Sequence, residues 1–230
     1  MKPRGLLFDK DGTLFDFHLS WGPWLAGFLD EISSGPAHSQ EIARALGFDP
    51  DAQIFHPDSV FVHDTLEEIL DVLLQYLPTW ERGTLAALAI RETAGVPQVE
   101  IAALAPLLAG LKSRGLVLGV ATNDNEHPAK TQLKAAGVLQ DFDFVAGYDS
   151  GYGGKPATGM QLAFCAAHGL RPAEVAMIGD SLHDMVSGRD AGMITVGVLT
   201  GTTSRADLET VADLVLEDIS QLERWLDSLG

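Results

Sequence analysis

Seven residues of this chain carry groups that could do chemistry together: Asp9, Asp11, Thr122, Asn123, Lys155, Asp180 and Asp184. Asp9, Asp11 and Asp180 offer hard oxygen ligands without thiolate or imidazole partners, a set that favours Mg²⁺ over zinc. Three carboxylates converging without a cation would repel one another, so a metal is their natural neutraliser. Thr122 and Asn123 supply neutral hydrogen-bond donors, and Lys155 a compact positive charge. With the backbone N–H groups of the Asp11-Gly12-Thr13 turn, these would cradle a phosphoryl group. The sequence holds neither a Walker loop nor a plausible Ser-His-Asp set, which leaves a carboxylate or a water as nucleophile. An Asp beside a phosphate can attack phosphorus to give an acyl-phosphate. A second carboxylate two residues along can protonate the leaving oxygen and then activate water.

Residues so far apart meet only if the fold collects them at one edge. Short apolar runs at residues 6–8, 116–121, 144–146, 175–178, 194–199 and, more weakly, 214–216 predict buried parallel strands. Helical spacing predicts helices over 99–113, 128–136, 159–168, 183–191 and 219–229. Strands alternating with helices imply an α/β class, a doubly wound parallel sheet covered on both faces. Asp9, Thr122 and Asp180 each follow a strand, Asp184 lies four residues beyond Asp180, and Lys155 follows a glycine-rich loop after the 144–146 strand. Strands that point the same way bring these sets to one carboxyl edge, where ligands bind in such sheets.

Residues 16–95 read differently. Trp21, Trp24, Leu25 and Phe28, then Leu66, Ile69, Leu70, Leu73 and Leu74, have helical spacing, and no strand pattern is evident. Gly35-Pro36, Asp49-Pro50, His56-Pro57 and Pro78 break the interval. It is expected to be a helical insertion, with residues 1–15 and 96–230 forming the α/β core and Gly95-Val96-Pro97 the return hinge.

Of the 230 residues, 46% are hydrophobic and 20% charged, a globular balance able to bury a sizeable core. The net charge of −17 argues against nucleic acid or anionic lipid as partners. Any bound phosphate therefore needs a local positive site built against the overall field. No stretch approaches the roughly 18 apolar residues of a membrane span. The segment from Met1 to Phe8 has too short an apolar run for a signal-peptide core, and lone Cys165 forms no internal disulfide. A cytoplasmic protein is expected, with Cys165 a small apolar residue on a buried helix face.

Phe8-Asp9-Lys10-Asp11-Gly12-Thr13-Leu14 resembles the first motif of the haloacid dehalogenase superfamily. Thr122-Asn123 resembles its second, Gly154-Lys155-Pro156 its third and Gly179-Asp180-Ser181-Leu182-His183-Asp184 its fourth, all in the right order. The resemblance, to phosphoglycolate phosphatase-like hydrolases with a helical cap, spans nearly the whole chain. It implies a Mg²⁺-dependent phosphatase with Asp9 as nucleophile and metal ligand, and Asp11 as general acid/base that binds the metal through its carbonyl. Thr122, with Asn123 behind it, would bind phosphate. Lys155 would stabilise the nucleophile and the phosphoryl charge, Asp180 would complete the metal site and Asp184 would orient that shell. The insertion would be a mobile cap that closes over a small phosphomonoester. Ala157-Thr158-Gly159 and Phe17 depart from the family pattern and bear on substrate contacts.

Plainer readings stand beside these. Asp9 and Asp11 could form a polar turn, Asp180 could cap a helix, Asp184 could face solvent, and Thr122 and Lys155 could be ordinary loop residues. His183 is expected to face solvent or a neighbouring loop, and Trp21, Trp24 and Phe28 are expected to be core of the inserted unit. His18 is a candidate for the entrance of the inserted unit; His56 and His63 are candidates to reach the pocket from it, with surface or loop packing the plainer reading for both. Across residues 16–96 three arginines stand against thirteen acidic residues, which leans away from a second strong anion on the substrate and makes phosphoglycolate a live but not preferred candidate. A phosphomutase on the same scaffold remains an alternative, as does an inactive phosphate-binding module. Dehalogenase chemistry is disfavoured by Asp11, and phosphonate cleavage by the lack of lysine in the insertion. Monomer and homodimer stay open.

Overall fold

The computed structural model describes residues 2–56 and 58–230, apart from the side chain of His63. The chain opens with β1 (Gly5–Phe8) and passes into a helical unit: α1 (Phe17–Ile32), α2 (Pro36–Ala45), a hairpin of β2 (Phe48–Asp49) and β3 (Ile54–Phe55), α3 (Val60–His63), α4 (Leu66–Tyr76) and α5 (Arg82–Thr93). It then alternates through α6 (Leu104–Ser113), β4 (Val117–Ala121), α7 (Glu126–Ala135), β5 (Phe144–Ala146), α8 (Gly159–His168) and β6 (Val175–Gly179). The last elements are α9 (Leu182–Ala191), β7 (Ile194–Val198), α10 (Arg205–Leu208), β8 (Leu214–Leu216) and α11 (Leu222–Ser228).

Six strands form one sheet in the order β5-β4-β1-β6-β7-β8, and every neighbouring pair is parallel. The two central strands, β1 and β6, are buried throughout, as a sheet covered on both faces requires. Side chains alternate between the faces. Leu6, Phe8, Leu118, Val120 and Ile178 meet Leu104, Leu108 and Leu111 of α6 and Leu222 of α11, whereas Leu7 and Met177 meet Met160 and Phe164 of α8. Glycine brings α8 close: a methyl group on Gly119 would lie 2.7 Å from the Phe164 ring, and one on Gly5 3.1 Å from it. Cys165 is buried on this helix, as its neighbours in sequence imply.

The helical unit holds its own apolar cluster, built from Trp21, Leu25, Phe28, Leu29, Ile42, Leu70 and Leu85 among others. Sequence pattern misses its two-residue hairpin, in which Phe48 pairs with Phe55 and Asp49 with Ile54. Arms so short show no alternation. The turn is closed by the Asp49 side chain, whose Oδ1 accepts from the N–H groups of Asp51 and Ala52, and Gln53 adopts a left-handed conformation.

Helix ends shift where side chains compete for backbone. The helix expected from residue 99 begins at Leu104 because Glu100 accepts from the Leu104 N–H (3.0 Å), while Val99 accepts from the Asp16 N–H (2.7 Å). The helix expected over 128–136 begins two residues earlier, with Asn125 preceding it, and the one expected from residue 219 opens as a tight turn before α11. Truncating Phe164 to Ala should cost about 3–5 kcal/mol, because it empties the space above two strand glycines. The midpoint of urea denaturation checks this.

Candidate active site

From β1 the chain steps outward to β4 and β5, then returns to the other flank of β1 for β6, β7 and β8. The winding therefore reverses between β1 and β6, where open α/β sheets form their ligand crevices. Asp9 leaves β1 at this point and donates its backbone N–H to the Ile178 carbonyl (2.8 Å), and Asp180 leaves β6 beside it. Thr122 and Asn123 follow β4, and Lys155 lies on the loop between β5 and α8.

Lys155 is the hinge of the geometry. Its Nζ donates to Oδ1 of Asp9 (2.5 Å) and to Oδ1 of Asp184 (2.6 Å), with all three groups buried. The other oxygen of Asp184 accepts from the Ser181 backbone (3.1 Å) and hydroxyl (2.6 Å) and so caps α9. Asp184 is thus committed to holding its neighbours. Asn123 brackets Lys155 from both sides of its peptide, accepting from the Lys155 N–H at 2.7 Å and donating to the Lys155 carbonyl at 3.0 Å. Thr122 Oγ1 accepts from the Asp124 N–H (3.1 Å), which leaves the hydroxyl proton available for donation.

Asp9, Asp180 and Asp184 present carboxylate oxygens all within 4.8 Å of one another. Burial pushes Asp9 up to about 7; Lys155 pulls the other way, and the charges of Asp184 and Asp11 add to the rise. Asp180 is held well above the usual carboxylate range by burial, then by the charges of Asp9 and Asp184. Burial would lower Lys155, yet the two carboxylates it touches raise it. A hard divalent cation fits this arrangement, because it would relieve the carboxylates that Lys155 alone does not neutralise. The surrounding backbone is drawn in tightly. Gly12 has φ of +78° and a Cβ there would sit 2.6 Å from the Asp180 carboxyl, while Gly201 leaves no room for any side chain against Asp180. Thr13 donates to Asp180 (3.2 Å) and Thr200 to the Gly12 carbonyl (2.5 Å).

Asp11 points to a second buried ammonium. Lys10 is wholly buried, and its Nζ lies 2.7 Å from Asp11, 3.2 Å from Asp124 and 2.6 Å from the Gln132 side-chain carbonyl, which accepts from it. Burial would depress Lys10, but Asp11 and Asp124 raise it. The other Asp11 oxygen accepts from the Trp21 indole N–H (2.7 Å), so a residue of α1 reaches the edge of the sheet. Gln132 donates in turn to the Thr93 carbonyl at the end of α5 (2.8 Å). The expectation of Trp21, Trp24 and Phe28 as core is met only in part, because all three also line the cavity between the helical unit and the sheet.

Asp9, Asp11, Thr122, Asn123, Lys155 and Asp180 line that one cavity, and Asp184 stands behind it. His183, expected to face solvent or a neighbouring loop, is half-buried and lines the cavity, because it sits in the first turn of α9, which starts at the carboxyl edge of the sheet. His18 instead packs on Phe55 and accepts from its N–H (3.2 Å), and His56 is exposed. His63 lies outside the described side chains. Sequence reasoning passes over Lys10, Asp124, Gln132, Thr200 and Gly201. A lysine set between two aspartates after an apolar run is itself a signal of buried charge; nothing local marks the other four.

Residues 3–192 match the family model of the haloacid dehalogenase-like hydrolases. The probable phosphatase IndB of Dickeya dadantii is 28% identical, over 95% of this chain and 90% of its own. The phosphoglycolate phosphatase of Neisseria meningitidis is 28% identical, over 86% of this chain and 81% of its own. Among solved structures, a haloacid dehalogenase family hydrolase of Deinococcus radiodurans with bound phosphate and sodium superposes with a TM-score of 0.68 at 19% identity, over 100% of this chain and 97% of its own.

Removing Lys10 isolates Asp11 and Asp124 from their shared cation. Lys10→Met should therefore lower stability by about 3–5 kcal/mol, and adding Asp124→Asn should recover part of the loss. Chemical denaturation of the single and double variants checks both.

Proposed function

We propose, from the premise that this chain belongs to the haloacid dehalogenase-like hydrolase family, that it is a Mg²⁺-dependent phosphatase acting on a small phosphate monoester through an aspartyl-phosphate on Asp9. The observation that carries this reading is Lys155 bridging Asp9 and Asp184 beside Asp180, with Thr122 on the same cavity. Asp9, Asp180 and the backbone carbonyl of Asp11 would hold the cation, which when bound offsets the negative charge of the phosphoryl group.

Asp9 attacks phosphorus with the oxygen that Lys155 does not occupy, and the ammonium favours the ionised carboxylate against the rise that burial imposes. Thr122 donates its hydroxyl, and Lys155 its charge, to the phosphoryl oxygens. Asp11 gives its proton to the leaving oxygen and then takes one from the water that hydrolyses the acyl-phosphate. Held by Lys10 and Trp21, it must turn away from one of them to reach either oxygen. Asn123 and Asp184 place Lys155. Residues 16–95 act as the cap over a core of residues 1–15 and 96–230, closing on the bound ester and excluding water before transfer. A cytoplasmic setting is supported by the single buried cysteine and by the lack, among the described residues, of any helix long and apolar enough to cross a membrane.

Phosphate release from p-nitrophenyl phosphate, with and without Mg²⁺, tests the reading. Wild-type protein should turn over only with the metal. Asp9→Asn should fold normally and fall below about a hundredth of the wild-type rate. Residual turnover above that level means Asp9 is not the nucleophile.

Asp11→Asn separates the two carboxylates. Its loss in kcat/KM, which reports the first transfer, should be about 10²–10⁴-fold for an alkyl phosphate, whose leaving oxygen needs a proton, and clearly smaller for p-nitrophenyl phosphate, whose phenolate leaves unaided, while kcat falls for both because hydrolysis of the acyl-phosphate also uses Asp11. Steady-state kinetics on both esters measures the difference.

A further inference from the structure

The cavity continues from the catalytic edge into the helical unit, and its two ends differ in chemistry. At the edge lie carboxylates, Lys155 and Thr122; beyond them the wall is Trp21, Trp24, Phe28, Phe61, Leu66 and Ile69. The aromatic rings form one connected panel. Trp24 stacks on Phe28 with centroids 4.8 Å apart, Trp21 meets Trp24 edge-on at 5.6 Å, and Phe61 lies 5.8 Å from Trp21 and 6.0 Å from Trp24. The panel starts at Asp11, since the Trp21 indole N–H is bonded to that carboxylate. A leaving group whose oxygen is protonated by Asp11 therefore passes directly onto Trp21 and its neighbours.

Charge sharpens the selection. Among the described residues that line the cavity from the helical unit, Asp64 is the one charged side chain. The three arginines of this unit are used elsewhere: Arg82 binds Glu67 and Asp71, Arg91 binds Glu92, and Arg44 bonds to the Gln40 carbonyl. A carboxylate or second phosphate placed at the far end would lose water and, among the described residues of the helical unit that line the cavity, find no lysine or arginine. A flat apolar body would replace water against rings whose faces and edges already suit aromatic contact.

We propose that this wall selects a neutral leaving group with a flat, apolar, aromatic body, so that the substrate is the phosphate monoester of an uncharged aromatic alcohol or phenol. The inference rests on the phosphatase reading and deepens it. It sets this chain apart from a phosphoglycolate phosphatase, because the leaving group of phosphoglycolate ends in a carboxylate.

The test uses the full chain with Mg²⁺ and four esters: 2-naphthyl phosphate, phenyl phosphate, 4-carboxyphenyl phosphate and 2-phosphoglycolate. Acetyl phosphate, whose leaving group is too small to reach the wall, reports the underlying chemistry. The expected result is kcat/KM at least tenfold higher for phenyl than for 4-carboxyphenyl phosphate, higher still for 2-naphthyl phosphate, and at least a hundredfold lower for 2-phosphoglycolate than for the naphthyl ester. Trp24→Ala should raise KM for 2-naphthyl phosphate by tenfold or more, with a smaller change in kcat. Phe61→Arg should shift preference toward 2-phosphoglycolate. If acetyl phosphate is hydrolysed but the carboxylated esters equal or exceed the neutral ones, the proposed selectivity is wrong and the phosphatase reading stands. If none of the five compounds is hydrolysed, both fall.

Discussion

Burying several acids side by side is possible only where cations are buried with them, and this constraint organises the molecule. Asp9, Asp180 and Asp184 sit within one ion's reach at the buried end of the central strands. Without Lys155 between two of them their mutual repulsion and lost hydration would cost several kcal/mol. A few ångströms of chain away, Lys10 serves Asp11 and Asp124 in the same way. Two lysines, each clasped by two aspartates, thus hold the first loop, Lys10 from within it and Lys155 from the loop before α8. Each lysine is outnumbered by its carboxylates, so in a chain of net charge −17 an anion would be welcome only where a bound cation adds to Lys155.

The two lysines are held by different means, and the difference suits different tasks. Lys155 is fixed at both ends, its backbone by Asn123 and its ammonium by Asp9 and Asp184, so its charge is preorganised where a phosphoryl group would arrive. Lys10 is instead a junction. It ties the loop carrying Asp11 to Gln132 of α7, which is bonded to the end of α5, while Trp21 ties Asp11 to α1. Both α5 and α1 belong to the helical unit, so that unit is hydrogen-bonded to the Asp11 side of the first loop, directly through Trp21 and through Gln132 and Lys10.

Much of this was legible beforehand, for identifiable reasons. A strand buried on both faces is a run of apolar residues, and β1, β4, β6 and β7 were readable on that ground. Polar residues that break off such a run must lie at the strand's end, which located Asp9, Thr122 and Asp180. The β2–β3 hairpin escaped because two residues cannot show a period, and the start of α6 escaped because Glu100 caps it from outside the apolar pattern. The place of His183 on the cavity is not legible in sequence, because helix periodicity says which residues share a face, not what that face looks upon.

What the sequence determined by itself was a set of polar groups and their common edge, because strand direction in a parallel sheet is dictated by local pattern and short connections. Only the tertiary structure decided who partners whom. That Lys155 meets Asp184, that Lys10 is buried rather than solvated, and that Trp21 reaches Asp11 all depend on side chains separated by 10 to 122 residues. Such contacts leave no periodic trace along the chain. They arise when packing removes water from charged groups and leaves each only the partners the fold has brought within reach.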